Sequence, residues 1–477
     1  MSASGSASTT SAATAPARTV SARTDRRRSL TGTGIGNTLE WFDWSIYSTF
    51  APFFAASFFD PSDTVSAFLA ALVVFAAGFI ARPIGGYLFG RLGDRLGRKT
   101  TMALTVILIS IAGLIIAICP PYAQIGVAAS VILVIARLLQ GLAYGGEQPA
   151  AGSYLSEQAP AERRGLWSSL IYATGTFGAV MGLVLGAVLS ALLTREDMFA
   201  WGWRIPFIIA ALGGLYALWM RRNMSETQAF TESISVVEAE ATEKPEKTEK
   251  PALVERPNIW RDMWTMRRSV IQVIGLVVGA TVAYYYWVVA TSAYSISVLG
   301  ADPTAVLIAG VAANFLFIAM LPAWGALSDR IGRRPVMLFG LVGLMATIIP
   351  MTSLIDGNPV NLFIAMLVAS VFLTALTSIS PAVMAELFPT RMRTTGVAVP
   401  LAVATAIFGG TAPYLQTWMA TNFGATSFAI YVIVLLAISA LTVLTLPETR
   451  GRILSDETHE YTGKTPKTVS PVDKVSA

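Results

Sequence analysis

The chain of 477 residues is poor in reactive side chains: one cysteine, Cys119, one histidine, His459, and only 13% charged residues, about half the usual share. The lone cysteine excludes an intrachain disulfide and any cysteine-cluster metal site. His459 lies in the polar C-terminal stretch, so the apolar body has no imidazole, and no His, Asp or Cys group stands there at catalytic spacing. A phosphate-cradling loop is missing too. GRKT at 97–100 lacks the GxxxxGK[ST] pattern, and GTGIG at 32–36 opens an apolar run instead of following a strand. These absences speak against an ATP-driven pump and a membrane-embedded enzyme, and no cofactor or metal is expected. The net charge of +5 does not make a nucleic-acid surface, because the basic residues sit between long apolar runs.

What the chain has is apolar sequence: 54% of residues, with a mean hydropathy of +0.60. A spanning helix needs about 20 mostly apolar residues. Twelve such stretches are predicted, at 31–58, 65–89, 101–119, 124–154, 165–193, 203–221, 269–298, 304–326, 336–355, 360–385, 395–420 and 426–446. This is an all-α, polytopic membrane protein whose expected partners are the lipid bilayer and a small-molecule substrate. The organisation expected is a disordered basic tail (1–30), a six-helix bundle (31–221), a linker (222–268), a second bundle (269–446) and a tail (447–477). The linker core EKPEKTEKPA is too polar to bury a core. Trp260 and Trp264, just before Arg267 and Arg268, predict a helix lying in the headgroup region.

Lysine and arginine set the orientation. With both termini cytoplasmic, Arg82 and Arg137 fall within spans and only Arg195 and Arg204 lie outside; the other Lys and Arg are inside. The outer loops carry Asp60, Asp63, Glu196, Asp197, Asp302 and Asp356. The Arg- and Ser-rich, acid-poor start also resembles a transit peptide, but a cytoplasmic basic tail agrees with the positive-inside count.

An internal repeat is visible. GRLGDRLGRK (90–99) returns as GALSDRIGRR (325–334), with Asp94 and Asp329 235 residues apart. Glu157, Pro160 and Arg163 are echoed by Glu386, Pro389 and Arg391, and SET (225–227) by PET (447–449). Three echoes at corresponding positions argue for two repeated six-span halves, a transporter architecture that holds substrate near the midplane.

Among charges within spans, Glu40, Asp43, Arg82, Arg137 and Glu147 all fall in the first half. A mid-span Arg or Asp costs about 2.5–3.5 kcal/mol on insertion scales, so each is a functional candidate, with a structural ion pair as the alternative. Glu40, Asp43, Trp44 and Tyr47 share one face of span one, and neighbouring carboxylates raise each other's proton affinity. Without an intramembrane His or Lys, proton coupling has to use a carboxylate: Asp43 first, then Glu40 and Glu147. Arg137, Gly141 and Gly145 repeat every fourth residue, letting another helix approach closely. Arg82, beside Pro83 (a local helix break), can hold a substrate carboxylate in bidentate fashion or pair with Glu40 or Glu147. The second half offers aromatics and amides: Tyr284, Tyr285, Tyr286 and Trp287, then Asn314, Tyr414 and Gln416. Four consecutive aromatics point all round a helix, so at most two face a cavity and the rest are packed or lipid-facing.

The G-x-L-x-D-R-x-G-R-R/K loop, present twice, resembles the major facilitator superfamily. GNTLEWFDWSIYSTFAPFFA (36–55), RPIGGYLFGRLGDRLGRK (82–99), RLLQGLAYGGE (137–147) and WGWRIPF (201–207) are similar to its metabolite:H+ symporter family, over nearly all of 31–450. The resemblance implies twelve spans, alternating access and proton-coupled uptake through a bacterial inner membrane; a monomer is expected. It implies a proton-coupling role for Arg137. It also implies a latch role for Asp94, Arg98, Asp329 and Arg333, whose acidic members stand where a neighbouring helix N-terminus can donate amides. Two intramembrane arginines suit an organic acid such as a mono-, di- or tricarboxylate, contacted by Arg82, Arg137, Trp44, Tyr47, Tyr284, Tyr285, Asn314, Tyr414 and Gln416. AIFGGTAPYL (406–415) and AELFP (385–389) are similar to organic-acid permeases of the family. GLVVGATVAYYY (275–286) is similar to its proline/betaine permeases, where aromatic faces can cage a quaternary ammonium. TSAYSISVLG (291–300) departs from both. An uncoupled facilitator is the remaining alternative.

Overall fold

A computed structural model describes residues 17–96, 98–145, 159–222, 263–389 and 393–452; within these, 17–33, 90, 93–100, 102, 217–222 and 394 are described by backbone alone. Twelve helical segments follow one another: α1 Ala17–Phe58, α2 Thr64–Leu96, α3 Arg98–Ile118, α4 Val127–Tyr144, α5 Arg164–Leu192, α6 Arg204–Arg222, α7 Arg267–Ser297, α8 Pro303–Ile331, α9 Arg333–Ser353, α10 Pro359–Glu386, α11 Thr395–Phe423 and α12 Ala425–Thr445. Among the described residues nine are long and apolar enough to cross a membrane. A tenth is α6 joined to Arg195–Gly202 across a 42° bend. The other two are α3, whose apolar part is Ala103–Ile118, and α1, whose polar stripe dilutes its apolar residues.

The outer acidic residues have a local task. Asp302 accepts from Ala305 N at 2.8 Å and Asn358 from Val360 N at 2.9 Å, capping α8 and α10. Asp63 accepts from Val65 N and Ser66 N at the start of α2. Caps of this kind satisfy orphan amides where a helix begins. Donors from Ser66, side chain first, hold the exposed Asp63 carboxyl below its ordinary range.

Packing repeats in the two halves. α2 lies on α4, α3 on α4 and α3 on α6; in the second half α8 lies on α10, α9 on α10 and α9 on α12. The halves meet along α5 with α8 and along α2 with α11. Glycine sets the closest approaches. A Cβ on Gly141 would lie 2.0 Å from Gly78 O, and one on Gly145 1.9 Å from Arg82 O, so α2 and α4 touch backbone to backbone. Across the halves, a Cβ on Gly165 or Gly325 would lie 2.6 Å from the other's carbonyl. Large apolar side chains such as Ile80, Val131, Leu192 and Leu441 remain exposed on the outside of the bundle, a surface suited to lipid.

Three features differ from the sequence reading. α1 starts at Ala17, so part of the expected disordered tail is helix; a formed helix propagates readily through Ala and Arg. α2 runs unbroken through Pro83, as membrane helices tolerate when neighbours re-satisfy the freed carbonyl. α4 starts at Val127, after Gly126 with φ +58°, and the expected extension to 154 lies outside the described residues. So does most of the linker, including Trp260; Trp264 is exposed.

Candidate functional site

Helical spacing turns Asp43, Trp44 and Tyr47 of α1 into the middle of the first half, where all three are buried, with Glu40 half-buried one turn away. α4 faces them with Arg137, Gln140 and Tyr144, also buried. The close passage of α2 at Gly141 and Gly145 brings Arg82 to the same place. The Arg137 guanidinium carbon lies 4.1 Å from the Trp44 ring centroid and 4.2 Å from that of Tyr47. That of Arg82 lies 4.2 Å from Trp44 and 4.4 Å from Phe79. Desolvated cation–π contacts of this kind contribute about 2 kcal/mol and hold both guanidiniums in place.

Arg137 and Asp43 are joined through a third residue. Arg137 Nη1 donates to Gln140 Oε1 at 2.8 Å, and Gln140 Nε2 donates to Asp43 Oδ2 at 3.2 Å. Tyr144 OH donates to the same Oδ2 at 2.5 Å. Nε and Nη2 of Arg137 are buried and meet no acceptor among the described residues. The cluster can thus offer two N–H groups to an anion and a carboxylate to a proton.

The second half closes the site with α7. Tyr284, Tyr285, Tyr286 and Trp287 are all buried, with a π turn at Tyr285–Ala290. Tyr284 crosses to the first half: its hydroxyl lies 3.1 Å from Thr176 Oγ1, and its ring stands edge-on to Trp41 and Tyr172 at 5.5 Å each. Tyr285 stands edge-on to Phe79 at 5.4 Å. Tyr286 and Trp287 pack within their own half, Tyr286 bonding Thr352 at 2.7 Å. None of the four faces lipid.

Charged contacts tie the inner ends of the halves. Asp329, at the end of α8, accepts from Gly165 N (2.8 Å) and Leu166 N (2.9 Å) in the first turn of α5, and from Arg333 Nη1 (2.6 Å). Glu386, fully buried at the end of α10, accepts from Arg164 Nη1 of α5 at 2.8 Å and lies 3.5 Å from Arg333 Nη2. Thr449 Oγ1 donates to its second oxygen at 2.5 Å, and Arg452 Nη1 to its carbonyl at 2.7 Å. Glu448 accepts from the amides of Arg333 and Arg334 beside Gly332, whose φ of +104° lets the chain turn from α8 to α9. At the outer ends the halves leave a cavity of about 390 Å³, lined by Phe53, Ser190, Leu193, Arg195, Asp302 and Thr304 among others.

The structure therefore brings Asp43, Arg137, Arg82, Trp44 and Tyr47 together, with Tyr284 and Tyr285 opposite. Asn314 is buried, and its amide donates to Gly310 O on its own helix; Tyr414 is half-buried against the apolar core. Gln416 is buried with Oε1 meeting no donor among the described residues. Glu147 lies outside the described residues, as do the side chains of Asp94 and Arg98. Gln140, Tyr144, Arg164 and Glu386 were not singled out by the sequence. The first two stand three and seven residues after Arg137, on its helical face; Glu386 stood only as one member of a repeated echo.

The profile of the sugar (and other) transporter family matches residues 31–461. The α-ketoglutarate permease of Escherichia coli is 35% identical over 426 residues, covering 88% of this chain and 94% of its own. The proline/betaine transporter of Salmonella typhimurium is 32% identical over 436 residues, covering 91% and 85%. In fold, the chain is similar to a crystal structure of D-xylose-proton symporter, with a TM-score of 0.66 and 17% identity over 89% of this chain and 99% of that one.

Proposed function

The chain belongs to the sugar (and other) transporter family of the major facilitator superfamily, a multi-pass membrane transporter, and on that footing we propose that it is a proton-coupled symporter importing a small organic acid by alternating access. The observation that carries the substrate class is the state of the cations. Arg137 presents two buried N–H groups with no acceptor among the described residues, a demand that a carboxylate meets. Trp44, an aromatic face that a betaine could use, is engaged already under the guanidiniums of both Arg82 and Arg137. Asp43 takes the proton that offsets the anion's charge, with Glu40 and Glu147 as reserves. The α-ketoglutarate permease relative supports an organic acid. The proline/betaine relatives support a zwitterion, which is the competing reading.

Ligand-dependent unfolding of the purified protein separates the two. Saturating α-ketoglutarate or citrate is expected to raise the unfolding temperature by roughly 2–5 °C, as mass action on the folded state requires. Glycine betaine and proline are expected to leave it unchanged. Stabilisation by betaine or proline alone would sink the organic-acid reading.

Asp329 and Arg333, with Glu386 and Arg164, serve in this account as the inner latch, broken when the inner side opens; Asp94 and Arg98 are its repeat counterparts. Asp329→Asn removes a charged acceptor from two amides of α5. In a Cys119→Ala background, a cysteine at Ser168, buried between the halves, is then expected to label about tenfold faster from the inner side. Unchanged labelling would remove Asp329 from gating.

A further inference from the structure

The amide of Gln140 stands between the two opposite charges at the centre of the first half. Its side chain is fully buried on α4; Oε1 accepts from Arg137 and Nε2 donates to Asp43 Oδ2. Chemistry fixes the direction of this chain. A guanidinium has donors only, so the oxygen end of the amide must face Arg137, and the NH2 end is left for Asp43. With Tyr144 OH on the same oxygen, Oδ2 receives two donors, an arrangement matched to the carboxylate.

A proton arriving at Asp43 disturbs this order. On Oδ2, a new O–H would meet the N–H of Gln140, and the amide would have to turn over to offer its carbonyl. Turning over sets its NH2 against the N–H of Arg137, donor against donor. On Oδ1, the two bonds to Oδ2 persist but lose their charge assistance, about half their strength. In the first case Arg137 needs another acceptor before the amide can turn away from it; in the second the amide's hold on Asp43 is weakened and a second acceptor on Arg137 lets it go. Its Nε and Nη2 are buried and without one among the described residues, so a substrate carboxylate binding there supplies what the turned amide withdraws.

Resting on the reading of Asp43 as proton carrier and Arg137 as anion site, we propose that Gln140 is the positioning residue that couples them. Its amide holds Asp43 ionised while Arg137 has no anion, and accepts protonation of Asp43 once an organic anion occupies Arg137. The proton comes from the outer solution, forms an O–H on Asp43, and leaves to the inner solution after the anion departs. The other charged and titratable groups that face Asp43 and Arg137 are Tyr47 on α1, Arg82 on α2 and Tyr144 on α4, with Glu40 of α1 acting on Tyr144.

The test is proton movement accompanying α-ketoglutarate uptake in proteoliposomes, read with an internal pH dye beside counterflow exchange. Gln140→Leu is expected to lower proton uptake per substrate by about tenfold more than it lowers exchange, the effect of losing the one charge-assisted bond to Asp43. Wild-type proton coupling in Gln140→Leu would overturn the proposal while leaving Asp43 as carrier. No proton movement in the unaltered protein would instead overturn the symporter reading beneath it. If Gln140→Leu does not fold, Gln140→Glu decides. Its carboxyl keeps an acceptor for Arg137 and donates to Asp43 only when protonated, so the pH optimum of coupling should move to the acid side. An unmoved optimum would overturn the proposal.

Discussion

Asp43→Asn is expected to abolish proton-driven accumulation and leave counterflow exchange measurable. Asparagine keeps the shape of the carboxylate, and its carbonyl can still accept from Gln140 and Tyr144, which meet at Oδ2 in the native protein. What it loses is the ability to ionise. Substrate would then equilibrate across the membrane instead of concentrating, since a site that cannot load a proton draws nothing from the gradient. Exchange, which needs only the substrate-loaded forms to alternate, would continue. The check is the steady-state accumulation ratio under an inward proton gradient, beside exchange in its absence. Accumulation intact in Asp43→Asn would move the proton to Glu40 or Glu147.

Arg137→Ala is expected to lose both activities. Removing the guanidinium leaves Gln140 Oε1 without its donor and Asp43 without the nearest cation, and empties the space over Trp44 and Tyr47. Breaking a buried charged pair costs about 3–5 kcal/mol, which is roughly 10²-fold or more in an equilibrium constant. Arg137→Lys should not rescue, because an ammonium lacks the planar fork that serves Gln140 and a carboxylate together. Exchange rates at matched protein levels measure the effect. Retained exchange in Arg137→Ala would make the residue structural and remove the main support for an anionic substrate.

The sequence carried the architecture because the bilayer imposes it. Apolar runs of span length, one-sided lysine and arginine, and the doubled D-R-x-G-R-R/K loop define twelve helices in two halves, and those helices are present. The central site was legible where a cost marks it. Asp43, Arg82 and Arg137 stand out because charge in a membrane is expensive, and the glycines after Arg137 stand out by their spacing. Gln140 and Tyr144 carry no such mark; an amide and a phenol within a span are common, and only their contact with Asp43 singles them out. Glu386 was hidden for another reason. It sits at a helix end, where a carboxylate reads as solvated, and folding of the inner ends buries it against Arg164 from the opposite half. Asn314, polar at mid-span, also gives one amide N–H to a carbonyl of its own helix, a local bond open to a buried amide that the sequence does not reveal.

The inner ties and the outer cavity lie at opposite ends of the two halves, the arrangement that the proposed alternating access requires of one of its stages. Asp329 and Glu386 hold α5, α8 and α10 together on the inner side, while the space near Phe53 and Asp302 lies at the outer ends of α1, α5 and α8. Tyr284 adds a further tie between the halves, its hydroxyl bonded to Thr176.

The central claim is that a proton gradient drives an organic anion through the site at Asp43 and Arg137. It is tested most directly by uptake of radiolabelled α-ketoglutarate, citrate, shikimate, proline and glycine betaine into proteoliposomes, with and without an acidic exterior. Acid-stimulated uptake of an organic acid, abolished by a protonophore, is the predicted result. Uptake of proline or betaine alone, or organic-acid uptake indifferent to the gradient, would contradict it.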